Sequence, residues 1–200
     1  MMHFSTDDLD AVRSRLRKDG LDPSEIRPFQ RPVETPDGTK VMRARSLSFP
    51  SDANPEALVQ IAQHETRELV LQPRFMEHPN GARSVSESIV CVEDPDRVAA
   101  KYSAYTDHPV RQAGHLRIID LGLARVIVVP PKHLEDVIPG HFAPMVPFLA
   151  GFTITANLTT AANLLKQRCI GFEEYGDRIL VHARDACGSA VLFESPNAQR

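Results

Sequence analysis

Eight histidines and three cysteines are scattered along this 200-residue chain, and their spacing is the first guide to what chemistry it could perform. No HxH or HExxH pair places two imidazoles on one helix or strand face, so the chain has no local metal motif. No CxxC exists; Cys91, Cys169 and Cys187 are odd in number and far apart, the pattern of reduced thiols in a cytosolic protein. Cys187, in DACGSA, has no nearby base that would activate it as a nucleophile. GxSxG, Walker A and GxGxxG motifs are all missing. His64 has a second potential ligand, Gln63, beside it at the end of a β-type run. Adjacent strand residues point to opposite faces, so at most one of the two can enter a common cleft.

Chemistry of this dispersed kind needs a fold to assemble it, and the fold is announced by a repeat. HFSTDDLDAVRSRL from His3, IVCVEDPDRVAAKY from Ile89 and FTITANLTTAANLL from Phe152 share one grammar: a β-type run, an Asp or Asn, then a helical pattern. Asp8, Asp94 and Asn157 occupy the same point in each copy, and each is a residue type whose side-chain oxygen accepts a free N–H of a helix's first turn. Pro95 falls where the first helical residue belongs, a position at which its missing N–H costs nothing. An internal repeat of this length implies one copied strand–helix–strands unit.

The first copy runs from residue 1 to about 73. Its helix, from about Asp8 to Lys18, carries Leu9, Val12 and Leu16 at helical spacing and closes at Gly20. Pro36-Asp37-Gly38 is a turn between two extended runs, the second alternating through Met42, Ala44, Leu47 and Phe49. ALVQIAQHE is its last strand, and residues 74–83 form a connector. The second and third copies share residues 84–200. The second contains a strand over about 85–92, a helix over 94–105, and strands in HLRIIDLG and ARVIVVPP. A Pro-rich crossover around residues 131–147 reads as a shaped connection, not a core element. The third contains a strand in FLAGFTITA, a helix over 158–167, and strands near 172–175, 178–182 and 190–194. The fold class is therefore α+β: tandem β-α-β-β-β modules forming curved mixed sheets around a cleft, with helices outside.

Composition narrows the functional classes. Apolar residues make up 42% and charged residues 24% of the chain, as in an ordinary globular protein. The net charge of −3 and the single short basic cluster RSRLRK, flanked by acids, argue against nucleic acid. No apolar run reaches the roughly 18 residues of a membrane span, and MMHFSTDD lacks the apolar stretch of a signal peptide. A cytoplasmic location with no membrane partner is the expectation.

Several stretches resemble a known family. QHETRELVLQPRFMEHPNGA, RPVETPDG and the terminal RDACGSAVLFE are similar to segments of glyoxalase-like proteins in the vicinal oxygen chelate superfamily, which also includes bleomycin-resistance proteins and extradiol dioxygenases. Arg67 and Leu71 depart from the family's usual Pro and Trp. Full-length relatives resemble four paired modules, so the resemblance implies that the first module here lacks its mate: it packs on a second copy as a homodimer, or a preceding module is missing.

The resemblance also implies a divalent metal, Zn, Ni, Fe or Mn, held between modules by His, Glu or Gln from first and last strands. Counting seven residues back from the helix caps lands on Glu87, on Ala150 and on Met1. Last-strand positions supply Glu194 and His64. His64, Glu87 and Glu194 are thus the implied metal ligands, with Glu87 and Glu194 as an acid/base pair, and the set is incomplete for zinc. Gln63, Ile89, Phe152 and Ile154 are the expected ligand-binding residues. Two readings stand: a small organic ligand undergoing metal-assisted isomerisation, lysis or ring opening, or metal-free sequestration of such a molecule. A non-catalytic fragment is the third.

Overall fold

The computed structural model describes residues 1–196, which form two compact units, residues 1–76 and 77–196. No helix among the described residues is long and apolar enough to cross a membrane.

The first unit is one module. β1 (Met2–Ser5) leads to α1 (Leu9–Lys18), then β2 (Arg27–Thr35), β3 (Gly38–Ser48) and β4 (Val59–His64). The sheet order is β1-β4-β3-β2, with β1 and β4 parallel and the other pairs antiparallel. Asp8 caps α1: its carboxylate accepts the Ala11 N–H at 2.9 Å. Leu9 and Leu16 are fully buried where α1 packs on β3 and β4. The β2–β3 hairpin turns through Pro36 and Asp37 into Gly38, whose φ of +101° lies in the region that favours glycine. Beyond β4 come two short helices that periodicity did not reveal, α2 (Arg67–Val70) and α3 (Pro73–Met76). Leu69 and Val70 of α2 cover Val33, Met42 and Ala44 on the face of the sheet away from α1.

The second unit contains two modules. β5 (Ala82–Cys91), α4 (Pro95–Thr106), β6 (Val110–Ala113), β7 (Leu116–Asp120) and β8 (Arg125–Val129) form one. β9 (Phe148–Ala156), α5 (Leu158–Gln167), β10 (Glu173–Tyr175), β11 (Arg178–Val181) and β12 (Ala190–Glu194) form the other. They share a single eight-stranded sheet, ordered β10-β11-β12-β9-β5-β8-β7-β6, in which the opening strands β5 and β9 pair antiparallel at the centre. Asp94 and Asn157 cap α4 and α5 as Asp8 caps α1, accepting the Arg97 and Thr160 N–H groups at 3.0 and 2.9 Å. β6 is an addition to the strands expected from the sequence: its four residues, VRQA, are mostly exposed and lack an alternating apolar pattern.

The two sides of this sheet differ. α5 lies over Ala156, Ile179, Val181 and Phe193 through Ala161 and Leu165. On the opposite, concave side, Ile89, Cys91, Ile127, Val129, Leu180, Ala190 and Leu192 are buried against Leu134 and Ile138. Those two residues come from the Pro-rich crossover, which opens with a 3-10 turn (Pro131–Asp136). This corrects the sequence expectation: the crossover is a core element. Leu134 and Ile138 are 1% and 0% exposed, and each contributes about 1.5–3 kcal/mol of apolar burial. A chain segment thus occupies much of the cleft that two paired modules would leave open.

Candidate functional site

Part of what remains open on the concave side of the second unit is a cavity of about 320 Å³ over Glu87. β5 brings Glu87 there because Ile89 and Cys91, two and four residues on, share its face and anchor it in the core. Arg125 is its register partner on β8 and Thr153 on β9. Arg178, at the start of β11, is the register partner of Glu194 on β12. Leu116, Ile118, Ile127, Val137 and Leu192 form the apolar wall; Asp136, Tyr175 and Asp177 complete the lining.

Glu87 is 1% exposed and its carboxylate is fully engaged. Oε1 accepts from Arg125 Nε at 2.9 Å and from Arg125 Nη2, and from Arg178 Nη2 at 3.3 Å. Oε2 accepts the Thr153 hydroxyl and Arg178 Nη1, the latter at 3.2 Å. Arg178 Nη2 also donates to Glu194 at 2.8 Å. Burial alone would raise the Glu87 pKa. The Thr153 and Arg125 hydrogen bonds and the positive charges of Arg178 and Arg125 outweigh it, so the group lies below the ordinary glutamate value. It is therefore a carboxylate at neutral pH, held by charge, and poorly suited to trade a proton with a substrate.

These donors do not fit a resident metal. A divalent ion needs lone pairs aimed into open space, whereas those of Glu87 point at two guanidiniums and a hydroxyl. Arg125 stands on the last strand of its module and Thr153 on the first strand of the other, where ligands would be needed, and neither supplies an anionic or imidazole donor. No group of three or more His, Cys, Asp or Glu side chains placed to hold a metal occurs among the described residues.

The other sequence-selected residues lie elsewhere. His64 belongs to the first unit, exposed at the end of β4 beside a small cavity of about 120 Å³ with Ser5, Thr6, Asp7 and Arg67. Glu87 and Glu194 belong to the second unit. Gln63 faces α1 instead: its amide oxygen accepts the Leu9 N–H at 3.2 Å and an Arg45 N–H at 2.7 Å, and its amide nitrogen donates to the Asp7 carbonyl at 2.7 Å. It clasps the start of the helix and is not among the residues lining the cavity beside His64. Ile89 faces the concave side but is sealed in the core.

Phe152 and Ile154 are corrections to the expected ligand-binding set. Both alternate with Thr153, which faces Glu87, and so lie on the helix-covered side, where Ile154 packs on the α5 cluster. The cause is a β-bulge. Ile89 pairs with Gly151 and Val90 with Leu149, leaving Ala150 as the extra residue. A one-residue shift inverts the facing of every later residue on the strand. Gly151 then sits where an added Cβ would meet the Ala190 carbonyl oxygen at 2.7 Å.

The model of a glyoxalase-like domain matches residues 1–106, just over half of the chain. The chain belongs to that family. A hypothetical protein from Staphylococcus aureus is similar at 12% identity and a TM-score of 0.62 over 96% of this chain and 64% of its own. The Mn(II)-bound glyoxalase from Novosphingobium aromaticivorans is similar at 13% identity and a TM-score of 0.51, over 96% of this chain and 61% of its own. Methylmalonyl-CoA epimerase from Mycobacterium tuberculosis shows 12% identity and a TM-score of 0.45 over 62% of this chain and 94% of its own. This glyoxalase-like protein therefore spans less than two thirds of the first two relatives' length. No curated protein matches it.

Sequence reasoning missed Arg125, Thr153 and Arg178. A signal for the arginines was present: each is the one charged residue at the head of an otherwise apolar strand, RVIVV and RILV. A cation in that position calls for a buried anion on a neighbouring strand.

Proposed function

We propose that the second unit of this glyoxalase-like protein is a metal-free binding module that sequesters a small organic molecule over Glu87. The observation that carries this reading is the saturation of Glu87 by Arg125, Arg178 and Thr153 at the floor of a cavity that is otherwise half open. A carboxylate so engaged neither coordinates a metal nor cycles a proton, yet apolar walls remain for a ligand body.

The lining also supports a charge preference. Glu87, Asp136 and Asp177 outnumber Arg125 and Arg178, and Tyr175 offers an exposed ring to a cation. The ligand class is a small amine or other organic cation with an apolar body. The test uses benzyltrimethylammonium and its uncharged analogue neopentylbenzene. Saturable shifts of the Tyr175–Arg178 amides by the cation, weakened about ten-fold in Asp177→Lys, support the reading. Equal shifts by both probes, or none, overturn it.

On the repeat, in which two of three modules pair by their opening strands, we also propose a homodimer through the first module. Light scattering should give twice the chain mass; the mass of a single chain contradicts it.

A further inference from the structure

The crossover divides the concave side of the second unit, and a second cavity of about 240 Å³ lies on its other flank. Leu134, Pro144, Phe148 and Ala150 give it apolar walls, and Phe142, 79% exposed, adds an aromatic ring to the lining. The ionisable groups of its lining are His141, His182 and Arg184; none is a carboxylate. This is the reverse of the Glu87 cavity, whose acids outnumber its bases.

The imidazoles are pre-positioned. His141 and His182 stack with ring centroids 5.0 Å apart and planes within 9°. His141 Nε2 accepts the Ala183 N–H at 3.2 Å, which leaves its Nδ1 to donate to the Pro139 carbonyl at 3.1 Å. His182 Nε2 lies 2.9 Å from a Glu173 carboxylate oxygen, without the alignment of a hydrogen bond. Arg184 is 76% exposed in its side chain, and its one ion pair among the described residues is with its neighbour Asp185, at 3.3 Å. Its guanidinium therefore has donors to spare at the cavity mouth.

We propose that this cavity is a second, separate ligand site, and that it takes a small aromatic carboxylate: the ring between Phe142, Phe148 and Leu134, the carboxylate toward Arg184 and the His182 edge. The cavity is below the roughly 300–1,000 Å³ of typical drug-sized sites, which limits the ligand to one or two fused rings. A carboxylate offers two parallel acceptors to the fork of a guanidinium.

The experiment titrates the full chain with 2-naphthoate, followed by ligand fluorescence anisotropy, which the absence of tryptophan leaves clear. Amide shifts of Ala183 and Gly188 locate the site. Saturable binding, at least ten-fold weaker for neutral 2-naphthamide and for Arg184→Glu, and several-fold weaker for Phe142→Ala, is expected. Both substituted side chains are exposed, so the fold persists, and circular dichroism verifies it. Tyr175→Ala, at the other cavity, leaves naphthoate binding unchanged. Equal affinity for the amide, indifference to Arg184→Glu, sensitivity to Tyr175→Ala, or no saturable binding overturns the proposal. Of these outcomes only sensitivity to Tyr175→Ala, which would put an anion in the Glu87 cavity, bears on the organic-cation reading; the others leave it untouched.

Discussion

In the first unit the sheet face turned away from α1 carries His3, Ser5, Gln60 and His64 in one register patch, and α2 covers only the Met42–Ala44 side. In the second unit the corresponding face carries Ile89, Cys91, Ile127 and Val129 and lies under the crossover. The same module thus has a polar concave face where no segment of its own unit lies on it and an apolar one where the chain folds back. The difference teaches that the module's frame, three capped helices on curved sheets, is independent of what its concave face does. His3, whose pKa burial, the N-terminal amine and His64 push down, stays neutral in the polar patch. Glu87, by contrast, stays ionised in the apolar one because it brings its own cations.

The comparison can be broken first at the crossover. Leu134→Ala should cost about 2–5 kcal/mol by chemical denaturation, the loss of a buried leucine plus its cavity. A cost under about 1 kcal/mol would show that the crossover is a loose strap rather than core.

Next in size, Glu87→Gln should cost about 3 kcal/mol, because two half-buried guanidiniums lose a balancing charge, Arg125 its partner in the cavity and Arg178 all but Glu194. Its pH dependence sharpens the point. A depressed folded-state pKa contributes stability above the ordinary glutamate pKa and loses it as pH falls through the folded value. The gap between wild type and Glu87→Gln should be widest near neutrality and narrow on acidification below the ordinary glutamate range. A gap that is flat with pH contradicts the charge account.

Smaller still, Asp94→Ala should cost about 1 kcal/mol through the lost Arg97 N–H acceptor, and Asp8→Ala should cost the same in the other unit, since the frame is common to both. The smallest effect is at the polar face: His64→Ala, at an exposed strand end, should stay within about 0.5 kcal/mol in stability.

The frame was legible in the sequence because its signals are local. Asp8, Asp94 and Asn157 cap their helices as their spacing foretold, and Pro36-Asp37-Gly38 makes its turn. The site was legible only in part, because its signals are relational. Glu87 was found by counting from a cap, but its partners Arg125, Thr153 and Arg178 sit 38, 66 and 91 residues away and meet it only through strand order. Phe152 and Ile154 were misplaced by one bulged residue, Ala150, which no local pattern marks. Leu134 and Ile138 looked like loop residues because their prolines outweighed them, yet a proline-stiffened connection loses little entropy when it docks into a core.

The most direct test of the central claim, that Glu87 is committed to arginines and not to a metal, is metal content by plasma emission after dialysis without chelator. The account predicts far less than one equivalent of Zn, Ni, Fe or Mn, and no rise in melting temperature when any of them is added. Near-stoichiometric metal that falls in Glu87→Gln would contradict it.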